Sequence, residues 1–103
     1  MNKSLSPEDL TGLLASGGNV TLLDVRRKED FDKTPQTIAK AEWKNPAEID
    51  LWLPTIPADQ EVIVYCVRGG SVSQSVQQQM SDNGIKARYV EGGLEALNKT
   101  NRV

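Results

Sequence analysis

The sequence predicts an α/β fold in which a mostly parallel sheet of about five strands is covered by helices on both faces. Segments with strand character alternate along the chain with segments of helical spacing, a pattern typical of parallel sheets. The strongest strand segments are apolar on both faces, as buried central strands are. With 103 residues, of which 38% are hydrophobic and 25% charged, we expect one domain over residues 1–103.

The first three segments fit this pattern. In "SPEDLTGLLASGG", Ser6 is a candidate helix N-cap and Pro7 suits the first helical position. Gly17-Gly18 supplies the stop of this helix. The run "NVTLLDV" is apolar on both faces and predicts a central strand that ends at Asp24. The polar run "RRKEDFDKTPQT" predicts an irregular connection with one helical turn in "KEDF".

The middle of the chain predicts a short strand followed by a helix. "IAKAEW" has the composition of a short strand. "NPAEIDLWL" predicts a second helix, with Asn45 as its cap and Glu48 completing a capping box. Pro54 and Pro57 are expected to end this helix.

The last four segments repeat the alternation. "EVIVYC" is the most convincing strand, and "SVSQSVQQQMSDNG" predicts a helix that Gly84 can close. Val72, Val76 and Met80 lie four residues apart on the inner face of that helix. "IKARYV" predicts a strand, and the turn "EGG" precedes a final helix in "LEALNK". The glutamines of the long helix are expected on its solvated face: Gln74, Gln77, Gln78 and Gln79.

The charge balance and hydropathy argue against several partners. The net charge is −2, from 12 basic and 14 acidic residues, so a nucleic-acid surface is not expected. No apolar run approaches the roughly 20 residues that span a bilayer, so no membrane partner is expected. The start "MNKSLSPEDL" has no apolar signal-peptide region, and one cysteine suits a reducing compartment. We therefore expect a cytoplasmic monomer. A signal peptide that has already been cleaved from the chain is left open.

The residue counts also exclude several chemistries. The chain has no histidine, so Cys-His and Ser-His hydrolase mechanisms lack their base. Zinc sites of the Cys/His type are excluded as well, and we expect neither a metal nor a cofactor. Nucleotide-binding, dinucleotide-binding and C-x-x-C motifs are absent.

The stretch "EVIVYCVRGGSVSQSV" carries the best candidate for a site. Cys66 is the only cysteine and stands at the carboxyl end of the best strand, where α/β folds place their sites. Gly69-Gly70 lets the backbone turn its N–H groups inward, and the next helix points its N-terminus at the same place. These donors, with Arg68 adding charge, would favour a thiolate and an anionic group attached to it. The alternative is a buried, inert cysteine before an ordinary turn.

These residues resemble the rhodanese family of sulfurtransferases in its single-domain form. "LLDVRRKEDF" is similar to the family's strand end D-V-R and its acidic-aromatic pair, and "TIAKAEW" occupies the place of the segment H-I-x-G-A. "VIVYCVRGGSVSQ" matches the active-site strand, loop and helix, and "YVEGGLEAL" the late E-G-G turn. "DVRR", "AEWKNPAEID" and "YCVRGGSVSQ" also resemble a small subgroup associated with bacterial chromate-resistance clusters.

The resemblance implies a rhodanese-like three-layer α/β/α fold and a specific chemistry. A thiolate on Cys66 would take the outer sulfur of a donor such as thiosulfate and pass it from a persulfide to cyanide or a thiol. A protein could also serve as the sulfur acceptor. The cradle for the persulfide would be the loop that follows the cysteine: Val67, Arg68, Gly69, Gly70, Ser71 and Val72. Asp24 and Arg26 would have a structural role, whereas Arg27 and Lys28 would face solvent.

The chain also departs from the family pattern. Ser71 and Val72 stand where an arginine is common, which leaves the donor preference open. Val72 also occupies the position of the phosphate-clamping arginine in related phosphatases, so phosphatase activity is not expected. Packing positions depart at three further residues: Thr37, Lys40 and Leu97. A second hypothesis is a non-catalytic module that binds or senses an oxyanion or a partner protein through residues 66–72.

Overall fold

The computed structural model describes residues 3–17, 20–38, 40–68 and 70–101, and it places twelve elements along them. Gly18 and Gly69, named in the sequence analysis, lie outside the described residues. The strands are β1 (Ser4–Leu5), β2 (Val20–Asp24), β3 (Glu42–Trp43), β4 (Glu61–Tyr65) and β5 (Ala87–Val90). The α-helices are α1 (Pro7–Ala15), α2 (Lys28–Lys33), α3 (Ile49–Trp52), α4 (Ser71–Asp82) and α5 (Gly93–Asn101). Short 3₁₀ turns flank α3 at Pro46–Glu48 and Leu53–Thr55.

The five strands form one sheet in the order β1-β5-β4-β2-β3, and every pairing in the described part is parallel. Strand β4 lies at the centre, and its side chains Val62, Ile63, Val64 and Tyr65 are all fully buried. Its alternate residues enter two different cores, because successive side chains of a strand point to opposite faces. The predicted parallel α/β fold with about five strands is therefore confirmed.

The two cores make the structure three layers thick. On one face, Val62 and Val64 pack with α3 and α4, whose contributions include Trp52 and Met80. On the other face, Ile63 and Tyr65 pack with residues of α1 and α5. Cys66 belongs to the first of these cores, on the side of α4. The thiol therefore lies between the sheet and the helix that follows it.

The predicted ends of two helices are confirmed. The Ser6 hydroxyl accepts the Asp9 N–H at 3.1 Å and caps α1. At the end of α4, Gly84 takes the left-handed φ of 79°. The Gly84 N–H donates to Ser81 and the Ile85 N–H to Met80, both at 3.0 Å. This pair of bonds is a Schellman motif, which explains the glycine.

Other predictions need correction. Residues 46–55 form 3₁₀, α and 3₁₀ turns in succession instead of one helix, with Pro54 inside the second 3₁₀ turn. The Asn45 cap is confirmed, but its side chain accepts from the Ala47 N–H and not from Glu48. The strand expected in "IAKAEW" is reduced to β3. Strand β1 was not predicted, because two residues carry no periodicity.

One glutamine of the long helix α4 lies on the buried face and not on the solvated face where it was predicted. Gln77 is only 3% exposed, so its predicted position on the solvated face is wrong. Its side-chain amide donates to the Ala87 carbonyl of β5 at 3.0 Å and to the Ser81 hydroxyl at 2.9 Å. These bonds satisfy the buried amide and connect α4 to the neighbouring strand.

Lys40 lies in the left-handed region with a φ of 68°. It stands in the turn closed by the Ala41 N–H on the Ile38 carbonyl at 3.0 Å. A lysine side chain is strained there, whereas glycine is not. We therefore expect Lys40→Gly to raise the free energy of unfolding by about 0.5–1 kcal/mol. Urea denaturation measures this, with the exposed Lys86→Gly as control; the expectation fails if both variants are destabilised equally.

No helix in the described ranges is long and apolar enough to cross a membrane.

Candidate active site

Cys66 is the first residue after β4, and its side chain is 5% exposed. Its carbonyl accepts the Leu94 N–H at 2.8 Å, and the Val67 carbonyl accepts the Glu95 N–H at 3.0 Å. The first turn of α5 therefore fixes the backbone on which the thiol stands. On its other side, the loop leads into α4, with Gly70 as the N-cap.

A pocket of about 330 Å³ opens beside the thiol. Its wall contains Cys66 and the described residues of the predicted cradle: Val67, Arg68, Gly70, Ser71 and Val72. Gly69 lies outside the described residues, so its place in the cradle stays a prediction. Three residues of the segment after β2 complete the wall: Arg26, Arg27 and Asp30. The structure thus brings the described cradle residues together in one wall beside the thiol.

Arg27 and Asp30 were not predicted to line the pocket. The side chain of Arg27 is 61% exposed, which confirms that it faces solvent, and its Nε lies 3.5 Å from the Asp30 carboxylate. Both residues lie at the edge where β2 ends next to β4. Because the carboxyl ends of neighbouring parallel strands meet at one edge, the pairing of β2 with β4 is the signal that could have located them.

Arg68 extends from the loop toward α5 and is 80% exposed. Its Nε lies 3.4 Å from the carboxylate of Glu95, which is itself half-exposed. Such long, exposed ion pairs contribute little to stability and exchange partners readily. Arg68 is therefore able to leave Glu95 for an anion in the pocket, whose wall it helps to form.

Asp24 and Arg26 form a buried ion pair at the pocket wall, to which Arg26 belongs, with 0% and 2% of their surfaces exposed. The Arg26 Nη2 lies 2.7 Å from Asp24 Oδ2, and the Nε donates to both carboxylate oxygens at 2.9–3.0 Å. Nη1 also donates to the Thr34 carbonyl at 3.1 Å, and Nη2 donates to the Gln36 carbonyl at 2.8 Å. The structure thereby bears out the predicted structural role of this pair, which ties β2 to the following connection.

Tyr65 completes this network from the next strand. Its hydroxyl donates to Asp24 Oδ2 at 3.1 Å and accepts the Ile38 N–H at 3.2 Å. Burial of the ring raises the pKa of Tyr65 far above its usual value, with the nearby Asp24 carboxylate adding to the effect. The hydroxyl therefore stays protonated and donates to Asp24, which helps to fix the orientation of the Asp24 carboxylate.

The two tryptophans are packing residues. The Trp52 indole is 8% exposed within the core, and its Nε1 donates to the Asn45 carbonyl at 2.7 Å. Trp43 stacks on Phe31 with ring centroids 4.4 Å apart and donates to the Arg26 carbonyl at 2.9 Å. Neither ring is part of the pocket wall.

Ser73 is a further residue beside the thiol that the sequence analysis missed. It lies in the first turn of α4, is 0% exposed, and its Oγ accepts a hydrogen bond from the Cys66 thiol at 3.2 Å. The spacing of seven positions between Cys66 and Ser73 matches no motif that predicts a contact. The position of Ser73 on the buried side of the helix N-terminus could have drawn attention to it. In the described part of the chain, no cluster of three or more side chains is arranged to hold a metal ion.

These features define a class of protein: a parallel α/β domain with a single thiol at the base of a strand-to-helix loop, in the wall of a pocket. The chain belongs to the rhodanese family, since the profile described as "Rhodanese-like domain" matches residues 6–100. Membership in this family supports a sulfur-related activity of the sulfurtransferase type.

Two known structures agree with this assignment, and one relative matches part of the chain. A rhodanese-like domain protein from Staphylococcus aureus superposes with a TM-score of 0.81 at 28% identity, over 92% of this chain and 90% of that chain. A rhodanese homologue from Thermus thermophilus is 32% identical, with a TM-score of 0.70 over 93% of this chain and 100% of that chain. A tRNA 2-selenouridine synthase from a Shewanella species is 43% identical over 49 residues, which are 48% of this chain and 13% of that synthase.

Proposed function

We propose that the protein is a sulfurtransferase of the thiosulfate:cyanide type that carries sulfane sulfur as a persulfide on Cys66. The observation that carries the proposal is the position of the Cys66 thiol, in the wall of a pocket whose loop leads into the N-terminus of α4. A helix N-terminus and inward main-chain N–H groups stabilise negative charge on bound sulfur. The proposed donors and acceptors are small molecules, with protein thiols as further acceptors.

The proposed reaction has two balanced steps. In the first, the Cys66 thiolate attacks the outer sulfur of thiosulfate, a new S–S bond forms, and sulfite leaves with the electron pair of the broken bond. In the second, cyanide or a thiolate attacks the outer sulfur of the persulfide, and the Cys66 thiolate leaves. Neither step needs a general base, which suits a chain with no histidine.

Initial rates of thiocyanate formation test this function. With thiosulfate and cyanide both varied, we expect parallel double-reciprocal lines, the kinetic signature of a covalent intermediate. An aryl phosphate serves as a negative control, because Val72 stands in place of a clamping arginine. Absence of thiocyanate with any sulfane donor would favour the second hypothesis, a module that binds or senses through the 66–72 loop.

Arg68→Ala is expected to weaken donor use without preventing persulfide formation. Arg68 lines the pocket, and among the residues that the structure describes its guanidinium contacts only the Glu95 carboxylate, at 3.4 Å, so it is available to a dianionic donor. We expect the KM for thiosulfate to rise about threefold to tenfold with a smaller change in kcat. The exposed Lys86→Ala, away from the pocket, is the control. An unchanged KM would show that main-chain donors bind thiosulfate without Arg68.

A further inference from the structure

The contact between Ser73 and Cys66 has a hydrogen-bond geometry that depends on the charge of the sulfur. With the thiol protonated, the S–H donates to Ser73 Oγ at 3.2 Å. The Ser73 hydroxyl then directs its own proton to the Gly70 carbonyl, at a distance of 3.5 Å. That second bond is at the limit of a hydrogen bond, whereas the side chain of Ser73 is fully buried. The hydrogen bond from the Ser73 hydroxyl to the Gly70 carbonyl is therefore weak.

A thiolate has no proton to donate and can only accept. The Ser73 hydroxyl rotates freely about its Cβ–Oγ bond, so loss of the thiol proton lets it turn from Gly70 to the sulfur. The bond lost is long and neutral, and the bond gained is to a buried anion, which makes it the stronger of the two. The same atoms, without moving, thus support both states of the sulfur.

We propose that Ser73 is a catalytic residue whose hydroxyl accepts from the Cys66 thiol and donates to the Cys66 thiolate. This inference rests on the proposed function. In the second step, the acceptor forms a bond to the outer sulfur, the S–S bond breaks, and its electron pair stays on Sγ. The negative charge then develops on the atom that Ser73 contacts, so donation from Ser73 stabilises the leaving group.

Other charged and titratable groups near the sulfur also affect its pH profile, so the variants must leave these groups unchanged. Arg26, Arg27, Asp30 and Arg68 line the same pocket, and Glu95 of α5 contacts Arg68. Tyr65, on the opposite face of β4, is bonded to Asp24. A substitution at Ser73 leaves all of these groups in place. A difference in pH profile between the variant and the parent protein therefore reports the hydroxyl.

Two comparisons isolate the hydroxyl of Ser73. The first compares the parent protein with Ser73→Ala, which lacks the hydroxyl. The second compares Ser73→Thr, which keeps the hydroxyl, with Ser73→Val, which has the same shape but carries a methyl group in its place. Ser75→Ala is the matched control, because Ser75 is an exposed serine on the same helix. Circular dichroism and thermal unfolding identify the variants that fold. If alanine does not fold, the comparison of threonine with valine decides.

Two readouts are needed. The first is the rate of Cys66 alkylation by iodoacetamide from pH 5 to 10, which requires no sulfur donor. The second is the rate at which cyanide removes sulfur from a preformed persulfide. Without the hydroxyl, we expect the alkylation profile to move to higher pH and the removal of sulfur to slow about tenfold or more. Threonine is expected to restore both.

The outcomes separate the two proposals. An alkylation profile that is identical with and without the hydroxyl in folded variants would overturn the role of Ser73. A shifted profile in a protein that forms no persulfide with any donor would support the hydrogen-bond switch while overturning the sulfurtransferase function. A shifted profile with unchanged sulfur removal would overturn the stabilisation of the leaving group.

Discussion

Cys66→Ser is expected to abolish sulfur transfer, with a loss of at least about a thousandfold in thiocyanate formation. A serine hydroxyl is a poor nucleophile without a base, and the chain has no histidine to supply one. It also cannot form the persulfide. The assay is the thiosulfate:cyanide reaction with the variant at matched concentration, so that even a small residual rate is detected.

The fold of the Cys66→Ser variant is expected to remain intact. The backbone at this position is held by the Leu94 N–H on the Cys66 carbonyl, which the substitution leaves in place. The new hydroxyl can bond to Ser73 Oγ as the thiol did. Thermal unfolding by circular dichroism provides this control. Transfer activity retained by a folded Cys66→Ser protein would contradict the proposed mechanism outright.

Asp24→Ala is expected to destabilise the protein by about 3–5 kcal/mol, because it leaves a buried guanidinium without its counter-charge. Arg26 is only 2% exposed, so water cannot replace the carboxylate. The Tyr65 hydroxyl loses its acceptor at the same time. Urea denaturation followed by fluorescence of the two tryptophans measures the change in the free energy of unfolding.

A surface ion pair supplies the matched control for this substitution. Asp32 lies 2.7 Å from the Lys28 ammonium, with both side chains more than half exposed. The carboxylate raises the pKa of Lys28, but Asp32→Ala is expected to change stability little, since water replaces the lost contact. If Asp24→Ala cost no more than Asp32→Ala, the buried pair would not stabilise β2 and its connection in the way described.

Elements whose formation depends on local patterns were predictable. The caps Ser6 and Asn45 and the apolar runs of β2 and β4 are recognisable in short windows of sequence. The alternation of strands and helices predicted the parallel sheet, and the position of Cys66 at a strand end predicted the edge of the sheet where the pocket lies. The left-handed turn at Gly84 also follows from one residue type at a helix end.

What was missed depends on contacts between segments distant in sequence. Strand β1 exists because Leu5 pairs with Val90 of β5, and two residues alone give no signal. Gln77 is buried because β5 presents the Ala87 carbonyl to it. Ser73 meets the thiol only through the path of the loop from β4 into α4. Likewise, Asp30 reaches the pocket because β2 lies beside β4 in the sheet.

Intact-protein mass spectrometry after incubation with a sulfur donor tests the central claim most directly. With thiosulfate, and in parallel with glutathione persulfide, the account predicts the gain of one sulfur atom on Cys66 and its removal when cyanide is added. The Cys66→Ser protein should show no gain. If the parent protein gained no sulfur from either donor while its thiol remained open to alkylation, Cys66 would not be a sulfur carrier and the proposed function would be contradicted.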